Sequence, residues 1–177
     1  AAAPLVTVQK IGNKLEIAAA CPAAQSLGFR PGMALATARA MFAALDVRDA
    51  DPQGDEAFLT HLTLFAARRW TPRAALSGPD GLWLDLDGVA HLFGGERRMC
   101  ERILFFCARL GFEARIAVAG TPGAAHALAR HAKQPIAFCP AGGEAEVLAS
   151  LPLAALRLEP DVLANARRLG IETIGSL

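Results

Sequence analysis

Three aspartates stand close together in the stretch PDGLWLDLDGVAHLFGGE, residues 79–96: Asp80, Asp85 and Asp87. Closely spaced carboxylates can hold Mg²⁺, and a pair of ions about 3.5–4 Å apart stabilises both the attacking and the leaving oxygen in a phosphoryl transfer. Such a pair needs several carboxylates at once, which one acidic residue on one strand does not supply. The stretch therefore has two interpretations: a metal site that includes Asp80, or a turn followed by a strand with a polar face.

The residues around the aspartates favour the second interpretation. In GLWLDLDG, residues 81–88, leucines alternate with other residues, and this period predicts a half-buried strand. On such a strand Asp85 and Asp87 share the face opposite the leucines. Asp80 precedes this strand in GPDG, a typical turn sequence. The turn joins the strand to another predicted strand, RAALS, residues 73–77. Asp80 and Asp85 are five residues apart, so on a continuous strand they would point to opposite faces.

The composition limits the classes of protein. The chain has 177 residues, 53% of them hydrophobic, which is enough for a buried core. A net charge of +1 excludes a chain that binds polyanions over its whole surface, so any contact with nucleic acid must come from local arginine clusters. The four cysteines have no CxxC spacing, which predicts reduced thiols of a cytosolic protein and no zinc site.

The chain carries no pattern for membrane insertion or export. No run approaches the roughly 18 apolar residues of a membrane span, and the first residues, AAAPLVTVQ, lack the pattern of a signal peptide. These residues go straight into a strand pattern, and the last residues, IGSL, lie within a motif. We therefore expect the chain to be a segment of something longer.

The order of predicted elements indicates an α+β fold. Residues 4–9 and 14–20 predict a hairpin. Amphipathic or capped helices are predicted at 34–45, 53–70, 94–111, 121–132, 143–150 and 160–169, and further strands at 46–51, 112–120 and 135–140. Thr121 is the predicted N-cap of the helix at 121–132. From residue 53 to 119 the order is α-β-β-α-β. A ferredoxin-like sheet has the order βαββαβ, so one strand is missing at the front.

Four motifs, in this order along the chain, carry a resemblance to a known family: LGFRPGMALATARAM, GLWLDLDGVAHLFGGE, ARIAVAGTPGAAHALAR and RRLGIETIGSL. They resemble the Y-family DNA polymerases, the UmuC/DinB-like translesion enzymes, and within them the ImuB-type mutagenesis proteins. The resemblance implies fingers over residues 1–51, a ferredoxin-like palm without its first strand over 52–142, and a thumb over 143–177. The thumb would begin a helix–hairpin–helix element that is truncated at Leu177.

The resemblance also allows the metal-binding motif to be compared position by position. Active members carry a pattern like S-I-D-E-A-x-L-D, and the matching stretch here is GPDGLWLD. Asp80 matches the aspartate, Gly81 stands where the glutamate is expected, and Asp85 matches the later, structural aspartate. The family's first metal-binding aspartate lies on the opening palm strand, which is not part of this sequence. The motif therefore implies a vestigial metal strand.

The residues that grip the triphosphate in the family are also replaced. Its fingers carry Tyr-x-Ala-Arg ahead of a Gly and a Gly-Met pair; the matching residues here are Pro22, Ala23, Ala24 and Gln25, ahead of Gly28, Gly32 and Met33. Its palm helix reads like P-N-K-x-x-A-K, whereas this chain has PGAAHAL, with Leu128 in place of the last lysine. A leucine does not offset phosphate charge, and a glycine side chain does not bind metal. We expect no catalytic residue, no metal and no cofactor.

The final motif suggests a contact with DNA. Helix–hairpin–helix elements offer backbone N–H groups to a DNA phosphate at a glycine turn. The candidate residues are Arg167, Arg168, Gly170, Ile171 and Gly175. The alternative is a helical packing corner with solvated arginines at the end of a helix. Another arginine cluster, at positions 97, 98 and 102, has helical spacing and is more typical of a solvated helix face than of a DNA contact.

The resemblance implies a non-catalytic adaptor in error-prone translesion synthesis, bacterial, cytoplasmic and associated with the nucleoid. Its partners would be primer–template DNA, bound weakly, and, through regions outside this chain, an error-prone replicative-type polymerase, a RecA-like ImuA-type protein and the sliding clamp. One alternative is an active translesion polymerase with atypical ligands, Asp80 with Asp85 or Asp87. Another is an interaction module that never meets DNA, which the near-neutral charge would suit.

Overall fold

The computed structural model describes residues 3–177. Its strands are β1 Leu5–Ile11, β2 Lys14–Ala20, β3 Asp46–Asp49, β4 Ala74–Leu76, β5 Leu82–Leu84, β6 Ile116–Val118 and β7 Ile136–Phe138. Its α-helices are α1 Pro22–Ser26, α2 Leu35–Met41, α3 Pro52–Arg69, α4 Glu96–Arg109, α5 Pro122–His131, α6 Glu144–Ala149 and α7 Pro160–Arg168. Short 3₁₀ turns are Gly78–Asp80, Ala90–Phe93, Leu153–Leu156 and Ile174–Ser176. This is the predicted α+β class.

The chain divides into two compact units. The first contains the described residues up to Leu62 and the segment Gly78–Gly81; the second contains Thr63–Ser77 and Leu82–Leu177. The predicted limits of fingers, palm and thumb, at 1–51, 52–142 and 143–177, stay a prediction. None of the described helices has both the length and the apolar character needed to cross a lipid bilayer.

The first unit is a three-stranded sheet with the order β2-β1-β3. β1 and β2 form the predicted antiparallel hairpin, in which Ile11 lies opposite Lys14 across a turn with Gly12 at φ 60°. β3 pairs parallel to β1. Helices α1 and α2 pack with this sheet, and the buried cluster consists of Val6, Val8, Ile17, Ala24, Phe29, Leu35, Ala38 and Leu45. The predicted helix 34–45 is shorter than expected, because Phe42 leaves the helix with extended backbone angles.

The second unit contains two short ladders. β4 and β5 pair antiparallel, and β6 and β7 pair parallel. Among the described strands, β5 pairs only with β4, and β6 pairs only with β7, so the two ladders are separate. Leu82 and Leu84 of β5 and Ile116 of β6 nevertheless pack on one hydrophobic cluster. One further strand between β5 and β6 would join the ladders, in keeping with a ferredoxin-like order without its first strand.

The predicted strand over residues 81–88 is too long. β5 ends at Leu84, and Asp85 follows it with one more ladder bond, from its N–H to the Arg73 carbonyl at 3.0 Å. The Asp85 side chain then accepts the N–H of Asp87 at 2.9 Å, so that residue enters a turn. Aspartate side chains compete in this way with the hydrogen bonds of regular structure. The prediction that Asp85 and Asp87 share one strand face is therefore wrong.

Helices α3 and α4 form the core beneath β5. The buried residues of this cluster are Ala66, Trp70, Met99 and Ile103, and Leu82 and Leu84 pack against them. Phe65 and Phe106 stack with ring centroids 4.7 Å apart, and both meet Trp70 edge-on. Alternation along β5 thus directs its leucines toward the helices, as the sequence predicts.

Helices α5, α6 and α7 complete the second unit. As predicted, Thr121 caps α5: its Oγ1 accepts the N–H of Ala124 at 3.3 Å. Burial of Ala127 and Leu128 against Cys139, Leu151 and Ala155 then anchors α5. The predicted helices at 143–150 and 160–169 are present as α6 and α7.

Substitution of Met99 tests the core beneath β5. Met99 is fully buried, so Met99→Ala removes most of its packing, and we expect it to lower the free energy of unfolding by about 2–5 kcal/mol. The measurement is urea denaturation followed by tryptophan fluorescence, because Trp70 and Trp83 both lie in the second unit. Phe105→Ala, on the exposed side of the same helix, is the matched control and should change this free energy by no more than about 0.5 kcal/mol. Equal effects of the two substitutions would contradict this assignment of the core.

Candidate functional site

Asp80 lies in a turn rather than on a strand. It ends the 3₁₀ turn Gly78–Asp80, and its side chain is exposed. Gly78 begins the turn at φ 64°, a backbone conformation that glycine adopts without strain. Gly81 follows at the position where the family resemblance places a glutamate. The position beside Asp80 therefore offers no side-chain oxygen to a metal ion.

Arg73 and the local backbone occupy both carboxylate oxygens of Asp85. The Nε of Arg73 lies 3.1 Å from Oδ2, and the N–H of Asp87 donates to Oδ1 at 2.9 Å. Arg73 also donates from Nη2 to the Asp87 carbonyl at 3.5 Å. The Arg73 and Asp85 side chains are 63% and 43% exposed, so the ion pair adds little stability, at most about 1 kcal/mol. The ion pair matters for metal binding, because a metal ion that bound Asp85 would have to displace the Arg73 guanidinium.

The donor set does not fit a two-metal site. Within residues 3–177, no three His, Cys, Asp or Glu side chains lie close enough together to hold a metal ion. Two-metal phosphoryl transfer needs carboxylates that approach both ions. Asp80 in its turn, Asp85 on Arg73 and Asp87 after the strand end do not form such a set.

The residues that match the family's triphosphate-binding positions form hydrogen bonds within the first unit. Residues 22–26 form α1, and the Gln25 side chain donates from Nε2 to the Ala20 carbonyl at 2.8 Å. The nearby cation Arg30 donates from Nη1 to the carbonyls of Gln25 and Phe29 at 2.6 and 2.8 Å. A cation suits the carbonyl end of a helix. Arg30 thus caps α1 instead of extending into solvent toward a phosphate.

Leu128 faces the interior. The residue at the place of the family's last phosphate-binding lysine is only 4% exposed and packs with Cys139 and Leu151. A lysine at this position would lose its hydration inside an apolar cluster. Packing, rather than phosphate binding, thus explains a leucine here.

The turn after α7 has the geometry of a helix cap. Gly170 has φ 78°, its N–H donates to the Arg167 carbonyl at 3.0 Å, and the Ile171 N–H donates to the Ala166 carbonyl at 3.0 Å. These two bonds form a Schellman cap, which requires left-handed backbone at the glycine. Arg167 and Arg168 are exposed in the last turn of α7. The N–H groups of the turn are used internally, which leaves the two guanidinium groups as the cations available to a ligand.

Gly175 has a packing role. A Cβ atom on Gly175 would lie 2.9 Å from the Cβ of Ala149, closer than such atoms approach, and 3.0 Å from the Ala149 carbonyl oxygen, which is also a tight contact. The adjacent chain is held by a bridge between Thr173 and Pro152 and by the capping box of Thr173 and Ser176. The structure thus brings the predicted hairpin residues into one folded corner, built against α6.

Two residues near these sites were not found from the sequence. Arg157 adopts φ 55° between the turn Leu153–Leu156 and α7, and no sequence signal predicts left-handed backbone at an arginine. Cys21 precedes α1, and its Sγ accepts the N–H of Leu5 at 3.3 Å. This bond and those from the first residues of α1 lower the pKa of the Cys21 thiol. The Cys-Pro pair at a helix start was the available signal, but the bond to Leu5 depends on the fold.

The comparisons with known proteins agree on one family. The impB/mucB/samB family model matches residues 2–130. "Protein ImuB" of two strains of Caulobacter vibrioides is 40% identical to this chain over 151 residues, which is 85% of the chain and 32% of the relative. The chain thus spans about a third of the length of these curated relatives.

Solved structures show the same fold. DinB from Sulfolobus solfataricus matches with a TM-score of 0.66 and 17% identity, over 97% of this chain and 51% of its own. A post-insertion binary complex of Dbh DNA polymerase matches with a TM-score of 0.68 and 16% identity, with the same coverage. An insertion ternary complex of Dbh has a TM-score of 0.66 and 17% identity, over 96% and 51% of the two chains. At these identities the likeness establishes the polymerase-like fold and not the activity.

Cysteine alkylation tests the environment of the fingers-like helix α1. The pKa of Cys21 lies below its ordinary value, so its reactive thiolate is present at lower pH, whereas burial raises the pKa of Cys100 to about 11 and keeps it a thiol. We expect iodoacetamide to modify Cys21 first between pH 7 and 9, with Cys100 protected unless the protein unfolds, as read by peptide mass spectrometry. Cys21→Ser, which should lose the fast phase, is the control. Faster modification of Cys100 than of Cys21 in the folded chain would refute this assignment.

Proposed function

The chain belongs to the impB/mucB/samB family, and from that premise we propose that it is a non-catalytic polymerase-fold adaptor in error-prone translesion synthesis. It supports mutagenesis after DNA damage, as part of an SOS-type response, by joining other proteins at damaged DNA while a separate error-prone polymerase performs synthesis. A RecA-like ImuA-type protein and the sliding clamp are its further partners. The proposed site of action is the bacterial nucleoid, in the cytoplasm.

The observation that carries the proposal is the joint replacement of three polymerase features. Gly81 stands where a metal-binding glutamate is expected, Gln25 where a phosphate-gripping arginine is expected, and Leu128 where a lysine is expected. In the fold, the side chains at or near these places make contacts of their own: Arg73 pairs with Asp85, Gln25 donates to the Ala20 carbonyl, and Leu128 is buried. Loss of one group can be compensated by its neighbours, but here three groups are replaced together.

A second candidate function is an active translesion polymerase with Asp80 and Asp85 or Asp87 as atypical ligands. The exposure of Asp80 is the observation in its favour, since an exposed carboxylate is accessible to a hydrated ion. The guanidinium on Asp85 opposes it, because its positive charge repels a metal cation from that carboxylate. The adaptor proposal therefore explains more of the observed contacts at this site than the polymerase alternative does.

Contact with DNA is assigned to the corner after α7. Arg167 and Arg168 provide exposed positive charge, and Gly170, Ile171 and Gly175 shape the turn beside them. The other end of α7 is acidic, with Glu159 and Asp161 in its cap and first turn, and so disfavours a phosphate there. Binding of this kind is weak and depends on salt, because it rests on phosphate neutralisation.

A primer-extension assay tests the absence of catalysis. With a primed template, all four deoxynucleotides and either Mg²⁺ or Mn²⁺, we expect no templated incorporation, because no set of carboxylates within residues 3–177 is placed to hold two ions. Wild type and Asp80→Ala should be indistinguishable, and a competent Y-family polymerase run in parallel is the positive control. Incorporation by the wild type that disappears in Asp80→Ala would establish the alternative function instead.

DNA binding by the corner is tested by the double substitution Arg167→Ala/Arg168→Ala. We expect weaker binding to primed DNA and a plot of log K against log salt whose slope falls by about 0.7–0.9 for each phosphate contact removed. Fluorescence anisotropy of a labelled primer–template at several salt concentrations gives both quantities. The matched control, Arg98→Ala/Arg102→Ala, removes the same charge from α4 and should leave the slope unchanged. An unchanged slope in the first variant would show that the corner does not meet DNA.

A further inference from the structure

Helix α4 presents a stripe of exposed residues that neither proposed site uses. Arg98, Arg102, Phe105 and Arg109 follow one another at helical spacing, and all are exposed. We call these four residues the α4 stripe. At 1.5 Å per residue it extends roughly 16 Å along the helix. The buried residues Met99 and Ile103 occupy a different side of α4, which packs beneath β5.

The α4 stripe carries a net positive charge. None of its three guanidinium groups forms an ion pair with a carboxylate of residues 3–177. Arg98 instead lies along Gly94, where a Cβ atom would approach its Cδ to 3.0 Å. Beside the stripe stands Glu101, so three arginines and one glutamate leave a net charge of +2.

The stripe combines its charge with an apolar group in a concave surface. Arg98, Glu101, Arg102 and Phe105 line a shallow, open depression of about 410 Å³. Phe105 is 67% exposed, although its apolar ring would be favoured in a buried place. Arginine and phenylalanine are both enriched where proteins bind one another, and aromatic anchors fill pockets at the centre of such interfaces.

The α4 stripe and the Trp83 side chain lie on opposite sides of the β4–β5 ladder. Leu82 and Leu84 point toward α4, so alternation places Trp83 on the opposite face, where its ring meets His126 with centroids 6.3 Å apart. A ligand on the Trp83 face and a ligand on the outward side of α4 would thus lie on opposite sides of the β4–β5 ladder. The stripe is free for a partner of its own.

We propose that the α4 stripe binds an acidic segment of a partner protein that carries an aromatic or large apolar side chain. The net positive charge complements carboxylates of the partner, and the depression beside Phe105 receives the apolar side chain. Glu101 within the same surface favours a protein over DNA, because its carboxylate repels phosphates but accepts hydrogen bonds from a peptide. This deepens the proposed adaptor function by assigning one of its partner surfaces.

Peptide binding by the full chain tests the proposal. The probes are a fluorescein-labelled peptide with a Phe-Leu pair flanked by Asp and Glu, the same peptide with Ala-Ala in place of Phe-Leu, and one with Lys in place of the acids. Fluorescence anisotropy should show binding of the first peptide and weaker binding of the other two. Arg98→Glu/Arg102→Glu should weaken binding of the first peptide at least tenfold, and Phe105→Ala about fivefold.

A double-mutant cycle distinguishes direct contact from general attraction of charge. If Phe105 meets the peptide's aromatic residue, the change from Phe-Leu to Ala-Ala should cost much less on Phe105→Ala than on wild type. Arg167→Glu/Arg168→Glu is the matched control, with the same charge reversal on α7, and should leave peptide binding unchanged. Melting temperatures close to wild type confirm that the substitutions act at the surface.

Three results would overturn the proposal: no binding of the acidic peptide, binding that the stripe variants do not weaken, or a cycle without coupling. Loss of affinity for a single-stranded oligonucleotide in Arg98→Glu/Arg102→Glu would also overturn it, because the stripe would then be a DNA surface. The peptide measurement contains no primed template and no deoxynucleoside triphosphate. Its failure is therefore separate from the finding of polymerase activity that would end the adaptor proposal.

Discussion

Burial of Leu82 and Leu84 against Met99 and Ile103 is the contact on which the arrangement of the second unit depends. Since side chains alternate along a strand, this contact decides which way Trp83 faces. It also fixes the rotation of α4, because a helix that buries one side must present another to solvent. Two surfaces with different chemistry thus follow from one hydrophobic interface: the Trp83 face of β5, and a basic stripe with an exposed phenylalanine on α4.

A polymerase-like fold can persist without the groups that polymerases use, because fold and site depend on different residues. In the second unit, apolar residues of the helices and strands build the core. Polar side chains near these positions contact the chain itself: Arg73 pairs with Asp85, and Arg30 donates to carbonyls at the end of α1. Such contacts stabilise the fold only slightly, but they hold Arg73, Asp85 and Arg30 in interactions within the chain.

The predictions from the sequence succeeded where a local pattern decides the structure. The hairpin of β1 and β2, the cap at Thr121 and the amphipathic α4 all follow from short-range rules about turns, caps and periodicity. The predicted end of β5 was wrong because the Asp85 side chain accepts a hydrogen bond from the backbone N–H of Asp87. The thiol pKa of Cys21 could not be predicted, since its hydrogen bond comes from Leu5, sixteen residues earlier.

The sequence by itself determined which chemical groups the chain lacks: there is no carboxylate at position 81, and no cation at 25 or 128. Folding rearranges side chains but cannot supply a group that the sequence omits. Only the tertiary structure decided where the remaining charges go, with Arg73 against Asp85 and the arginines of α4 turned outward. The reason is that distances between charges on different elements are set by the packing of apolar residues, which local sequence patterns do not contain.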